Sequence, residues 1–155
     1  MYSLETLLDS YEEFHTNPTN RILHRIGIPL VVISIMIFFN WFTLSFAQEK
    51  SIPLSWVIAA SVAGYYLNLN FKKTWLASLL IIITTWFITL CFGYKPTALS
   101  FYSFLALFVV GWCLLLAGHF IEKNKPAFSE NISHLLIGPL FLLQELFSCV
   151  KGLFK

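Results

Sequence analysis

Charge is what this sequence has least of. Asp, Glu, Lys and Arg make up 12% of its 155 residues, against about 25% in an ordinary soluble domain. The formal net charge of +2 is too weak to draw a polyanion, so a nucleic-acid partner is excluded. Cysteine is nearly absent. Cys91, Cys113 and Cys149 sit singly inside apolar runs, with no C-x-x-C and no even set. That excludes a disulfide framework and a zinc ribbon, and the three read as small buried hydrophobes. No internal repeat and no low-complexity tract breaks the chain, so residues 1–155 are expected to form a single membrane domain.

What is present is apolar. Hydrophobic residues make up 57% of the chain, and 16 Phe, 6 Tyr and 5 Trp outnumber 18 formal charges. A domain of this size has more surface than core and could not hide so much apolar side chain from water. A soluble globular enzyme and a disordered chain are therefore both excluded. Four runs lack Asp, Glu, Lys and Arg: 26–47, 52–71, 74–94 and 97–121. Each is long enough to cross a ~30 Å hydrocarbon core as a helix, the form in which backbone groups bond within their own segment. The connectors Gln48–Ser51, Lys72-Lys73 and Lys95-Pro96 are short, which forces an up-down-up-down order.

Two flanking segments are amphipathic. Leu4, Leu7, Leu8, Tyr11 and Phe14 recur at helical spacing opposite Asp9, Glu12 and Glu13. After Pro126, residues 135–150 are apolar but include Gln144 and Glu145, which fits an interfacial or re-entrant helix. Asn17-Pro18 reads as a cap followed by proline at the first helical position. The expected fold is thus all-α: an integral membrane four-helix bundle with amphipathic N-terminal and C-terminal interfacial or re-entrant helices. Met1–Phe14 lacks the layout of a cleaved signal, so the first span is expected to act as the membrane signal. Eight cations (Arg21, Arg25, Lys72, Lys73, Lys123, Lys125, Lys151, Lys155) fall on one side and two (Lys50, Lys95) on the other. The positive-inside rule then puts both termini in the cytoplasm. A bacterial cytoplasmic membrane and an endoplasmic reticulum membrane both fit.

The four histidines carry the functional signal. His15, His24, His119 and His134 come from opposite ends of the sequence, yet this topology gathers all four at the cytoplasmic mouth. A polar cluster at one membrane edge points to a site. Asn20 and His24 are four apart and His119 and Glu122 three apart, so each pair shares a helix face. Imidazoles and a carboxylate on facing helices are how bundles assemble metal sites, and this set suits non-haem Fe(II) or Zn(II). His15, His24 and His119 are the expected catalytic ligands, with His134 or Glu122 completing the shell. Asn20 and Glu122 are placed to orient His24 and His119 respectively.

The same residues carry a resemblance. Tyr11-x-x-Phe14-His15-Thr16-Asn17-Pro18-Thr19-Asn20-x-x-x-His24-x-x-Gly27-x-Pro29, then Trp112, Gly118-His119, Glu122-Lys123, Pro126-Ala127 and Gly138-Pro139-Leu140-Phe141, are similar to the signatures of the 2-hydroxy fatty acid dioxygenases. These are small multi-pass membrane proteins. The resemblance covers nearly the whole chain. It implies an Fe(II) cofactor, O2 and a 2-hydroxy fatty acid as reactants, membrane lipid as surroundings, and α-oxidation to a fatty acid one carbon shorter. Arg21, Arg25 or Lys123 could meet the substrate carboxylate, although snorkelling cations are ordinary at an interface. The residues by themselves also admit a zinc enzyme, a bis-histidine haem protein, or a non-catalytic lipid-binding bundle. Transport is disfavoured, because no proton relay crosses the midplane of the apolar runs.

Overall fold

The structure, a computed structural model, describes residues 3–46, 50–124 and 133–153. Helix α1 (Leu4–Glu12) is amphipathic as expected. Ser3 caps it, its hydroxyl accepting the Thr6 N–H at 3.2 Å, and Leu4, Leu7, Leu8 and Tyr11 form its buried stripe. Helix α2 (Pro18–Asn40) starts as anticipated. Pro18 has no N–H to waste, and Asn17 Oδ1 accepts the Thr19 N–H at 2.9 Å; both are start signals.

The first run ends as helix earlier than predicted. Strands β1 (Thr43–Phe46) and β2 (Lys50–Pro53) pair antiparallel, with Thr43 opposite Pro53 and Leu44 opposite Ile52. Among the described residues the fold is therefore helical with one short hairpin. An apolar run of this kind does not reveal its own period, which is why the sequence placed residues 43–46 and 52–53 in helices; residue 47 lies outside the described residues.

Helix α3 (Leu54–Phe92) runs for 39 residues, with Asn70 alone outside helical dihedrals (φ −168°, ψ 96°). It is not straight. Trp56 Nε1 donates to Thr89 Oγ1 at 3.3 Å, although a straight helix would hold those residues about 50 Å apart. Ser78 Oγ reaches the Ala63 carbonyl at 3.1 Å and Thr74 Oγ1 the Tyr66 carbonyl at 2.5 Å. The chain reverses at Asn70, so α3 is two antiparallel arms. The expected Lys72-Lys73 connector is itself helical, and the turn falls two residues earlier. Helix α4 (Ala98–Glu122) opens on a reciprocal cap, Ser100 N–H to Thr97 Oγ1 at 3.1 Å and Thr97 N–H to Ser100 Oγ at 2.9 Å. Helix α5 spans His134–Leu153. Residues 125–132, which include Pro126, lie outside the described residues.

Among the described residues three helices are long and apolar enough to cross a membrane: Pro18–Asn40, Lys72–Phe92 and Ala98–Glu122. The first arm of α3, from Leu54 to the turn at Asn70, is not among them. Large apolar side chains point outward on the other helices, among them Trp86, Phe87, Leu90, Leu99 and Tyr102. Cys91 and Cys113 are also exposed, not buried as the sequence suggested. On an apolar helix an outward cysteine sits among outward Leu and Phe, so its neighbours in sequence do not report its burial. The side chain of Cys149 lies outside the described residues.

The chain divides into two compact units, Pro29–Trp112 on the one hand and Met1–Ile28 with Cys113–Lys155 on the other. In the first, Met36, Ile37 and Ile88 form the core, packed by Ile58, Ile81 and Phe104 from both arms of α3 and from α4. Asn40, fully buried, pins the helix ends there. Its Nδ2 donates to the Gly93 carbonyl, and its Oδ1 accepts from Ser55 Oγ at 2.7 Å and Thr89 Oγ1 at 3.3 Å. Gly93 itself needs a positive φ of 63°, which glycine adopts without strain. In the second unit, α1 and α5 bury Leu7, Tyr11, Ile137 and Phe141 against Phe14 and Ile28.

The reversal of α3 is directly testable. In a background with the native cysteines replaced, Ala63→Cys with Ser78→Cys should oxidise to an intramolecular disulfide. A straight helix would hold those positions about 22 Å apart and give no cross-link on a denaturing gel.

Candidate metal centre

Three elements deliver the three imidazoles. His15 sits in the turn between α1 and α2, His24 in the second turn of α2, and His119 in the last turn of α4. All three are buried, His15 to 1% exposure. Each offers one ring nitrogen, and these atoms all lie within 4.8 Å of one another. Ring centroids stand 4.5 Å apart for His15–His24, 4.8 Å for His24–His119 and 5.3 Å for His15–His119.

The backbone sets the tautomers. His15 Nδ1 donates to the Tyr11 carbonyl at 2.8 Å, and His24 Nδ1 to the Asn20 carbonyl at 3.0 Å. Each uses the carbonyl four residues back, the one a helical turn presents, and each thereby leaves a bare Nε2 lone pair facing inward. His24 Nε2 and His119 Nε2 are 3.2 Å apart. His15 Nε2 and His119 Nδ1 are buried without a partner. Orphaned buried nitrogens are costly. An ion held at His15 Nε2 would give that atom a partner, and two nitrogens about 2.1 Å from one metal at 90–109° stand about 3.0–3.4 Å apart, a spacing the His24–His119 pair matches. The donor set fits a divalent transition metal.

The surroundings favour uncharged imidazole. Burial is the largest influence on His15 and pulls its pKa below the usual value; the Tyr11 carbonyl and Glu122 oppose this, and Arg21 adds to it. Tyr11 stacks on His15 with centroids 4.1 Å apart and planes 10° from parallel. Burial, aided by Glu145, pushes the Tyr11 phenol up, so it stays protonated.

Helix α4 reaches the site because of Gly118. A Cβ there would collide with Asn20 Oδ1 and lie 3.0 Å from His24 Nδ1. Only a residue without a side chain brings His119 this close to His24.

The remaining predicted residues fall differently. Glu122 does not turn back to His119. Its carboxylate accepts the Thr16 N–H at 3.0 Å, the Thr16 hydroxyl at 2.5 Å, the Asn17 N–H at 3.0 Å and Asn20 Nδ2 at 2.9 Å. Asn20 serves His24 through its backbone carbonyl, while its side chain bonds Glu122. His134 stands outside the three-histidine group: its Nε2 meets Ser10 Oγ at 3.3 Å, and its ring packs on Tyr11 and Phe14. Arg21 and Arg25 are engaged by carboxylates, Arg21 with Glu12 at 2.6 Å and Glu145 at 3.3 Å, Arg25 with Glu145 at 3.0 Å. Arg21 Nε also holds the His15 carbonyl at 2.6 Å. The contributions of Tyr11 and Thr16 were not assigned from sequence, although both stand in the motif around His15. Spacing alone does not show that a carboxylate at position 122 reaches residue 16.

The chain is thus a helical protein with membrane-length apolar helices and a buried centre of three histidines. The comparisons narrow it. The family model described as "2-hydroxy-palmitic acid dioxygenase Mpo1-like" matches residues 1–75 and 72–150, so the chain belongs to the Mpo1-like family. It is 26% identical over 147 residues to the 2-hydroxy-palmitic acid dioxygenase MPO1 of Saccharomyces cerevisiae, covering 94% of this chain and 80% of that protein. No solved structure matches it.

Two outcomes follow from this geometry. Gly118→Ala should overpack the α2–α4 contact and cost about 1–3 kcal/mol, read as a lower midpoint in detergent unfolding with reduced Co(II) affinity. His15 should also make stability depend on pH. Its folded pKa is depressed, so below the unfolded value of 6.5 the unfolded chain takes up the proton first. Stability is then full above about pH 6.5 and falls on acidification, by up to ~1.4 kcal/mol per pH unit per proton. His15→Gln should flatten that slope in metal-free protein; an unchanged slope would assign it elsewhere.

Proposed function

We propose that the chain is an Fe(II)-dependent dioxygenase that converts 2-hydroxy fatty acids to fatty acids one carbon shorter. The observation that carries this reading is the convergence of His15, His24 and His119 in a chain whose relatives are described as 2-hydroxy-palmitic acid dioxygenases. The chemistry balances without a further co-substrate. Cleaving the C1–C2 bond of R-CHOH-COOH to give R-COOH, CO2 and H2O removes four electrons, and one O2 accepts four.

Iron would supply O2 activation and a point at which the substrate carboxylate and hydroxyl are held together. The protein's part is to hold His15, His24 and His119 as neutral ligands through Nε2 and to leave positions open. Three neutral ligands would leave the ion's charge to be met by the anionic substrate. His134 is not needed for this set, and Glu122 acts outside it. A bis-histidine haem between His24 and His119 is disfavoured, since their Nε2 atoms stand only 3.2 Å apart.

The setting belongs to the same proposal. Residues 1–155 act as a single multi-pass membrane domain in which both arms of α3 cross with α2 and α4. Helices α1 and α5 lie at the interface, and both termini face the cytoplasm. The acyl tail would lie among outward Phe and Leu side chains while its head group reaches the histidines.

Purified protein should contain about one iron per chain and consume O2 with 2-hydroxypalmitate, releasing a fifteen-carbon acid. His15→Ala, His24→Ala and His119→Ala should each lose iron and turnover while still inserting. Full turnover in rigorously metal-stripped protein would overturn the reading; activity with zinc alone would replace iron with zinc.

A further inference from the structure

We infer that Glu122 is a positioning residue for His15, acting as a latch that holds the turn between α1 and α2 against the end of α4. This rests on the metal reading above and goes beyond it, because it assigns how the third ligand is brought in. Of the three histidines, His15 alone is carried outside a helix. The N–H groups of Phe14 and of His15 itself close a turn back onto the Tyr11 and Glu12 carbonyls at 3.2 and 2.9 Å. The N–H groups of Thr16 and Asn17 point away from that turn, and both end on the Glu122 carboxylate. The Thr16 hydroxyl and Asn20 Nδ2 end there as well.

One carboxylate thus gathers donors from three residues across the start of α2, and two of them, Thr16 and Asn17, lie immediately after His15. Two of the donors are backbone N–H groups that no α-helix would satisfy, one in the turn and one at the capping residue of α2. A negative charge at that end of α2 is also favoured by the helix dipole. On α4, Glu122 lies one turn beyond Gly118 and His119. The approach that glycine permits therefore sets both the His119–His24 distance and the reach of Glu122 to the turn. Arg21 works from the other side, its Nε on the His15 carbonyl. The His15 segment is held at its carbonyl by α2 and at the following amides by α4. Without Glu122 the amides of Thr16 and Asn17 lose their acceptor, and His15 loses its fixed distance from the other two rings.

The full chain in detergent micelles tests this in two ways. Hydrogen exchange on metal-free protein should show the Thr16 and Asn17 amides exchanging at least about ten-fold faster in Glu122→Gln, with the interior of α2 unchanged. Co(II) titration should show Glu122→Gln binding about 10–100-fold more weakly, the range for losing a ligand's support. In a His15→Ala background the same change should cost less than about two-fold, because the residue it acts through is gone. Should Glu122→Gln fail to insert, Thr16→Ala removes one donor and should show the same non-additivity at smaller size. Equal losses of Co(II) affinity in both backgrounds would overturn the proposal, as would unchanged exchange at Thr16 and Asn17. A wild-type chain that bound no Co(II) would instead overturn the metal reading, and the exchange result would still decide whether Glu122 holds the turn.

Discussion

The approach of α4 to α2 at Gly118 is the constraint on which the rest of the site depends. A single methyl group at that position would occupy space held by Asn20 Oδ1 and the His24 ring. With glycine there, the last turn of α4 comes close enough for His119 Nε2 to stand 3.2 Å from His24 Nε2. The carboxylate of Glu122, one turn further on, then arrives beside the amides of Thr16 and Asn17. One absent side chain thus sets two contacts, one between rings and one between a carboxylate and a turn.

Charge in this unit is sorted away from the imidazoles. Glu122 is taken up by the start of α2, Glu145 by Arg21 and Arg25, and Glu12 by Arg21. What faces inward is neutral nitrogen. His15 and His24 each spend one N–H on a backbone carbonyl and turn the other nitrogen to the centre. This differs from sites in which a carboxylate joins two histidines, because Glu122 is turned to the start of α2 instead. A neutral set suits a cation whose remaining charge is met by an anionic reactant, which agrees with the proposed 2-hydroxy acid.

The unit built from Pro29–Trp112 solves a different problem. Its helices are apolar outside, so its few polar side chains must find partners within the protein. Asn40 satisfies Ser55, Thr89 and the carbonyl of Gly93 at once. Thr74 and Ser78 reach carbonyls on the opposite arm of α3. These bonds tie helix ends and arms together, whereas hydrophobic burial gives little preference for one helix partner over another in lipid.

Much of this was legible in the residue order. Low charge and long apolar runs determined a membrane-type helical chain, because length and apolarity alone decide whether a helix can span hydrocarbon. Asn17-Pro18 determined where α2 begins, since capping is a local event. The gathering of His15, His24 and His119 followed from counting spans and asking which ends share a side. The strand form of residues 43–46 and 52–53 was not legible, because an apolar strand and an apolar helix look alike over so short a stretch. The reversal was expected at Lys72-Lys73 and falls at Asn70, where hydrogen bonds between the arms, rather than the polar pair, mark the turn. The role of Glu122 lay furthest out of reach. Its spacing from His119 put the two on one face, but which partner it takes depends on how closely α4 approaches α2, and side-chain packing between distant segments decides that distance.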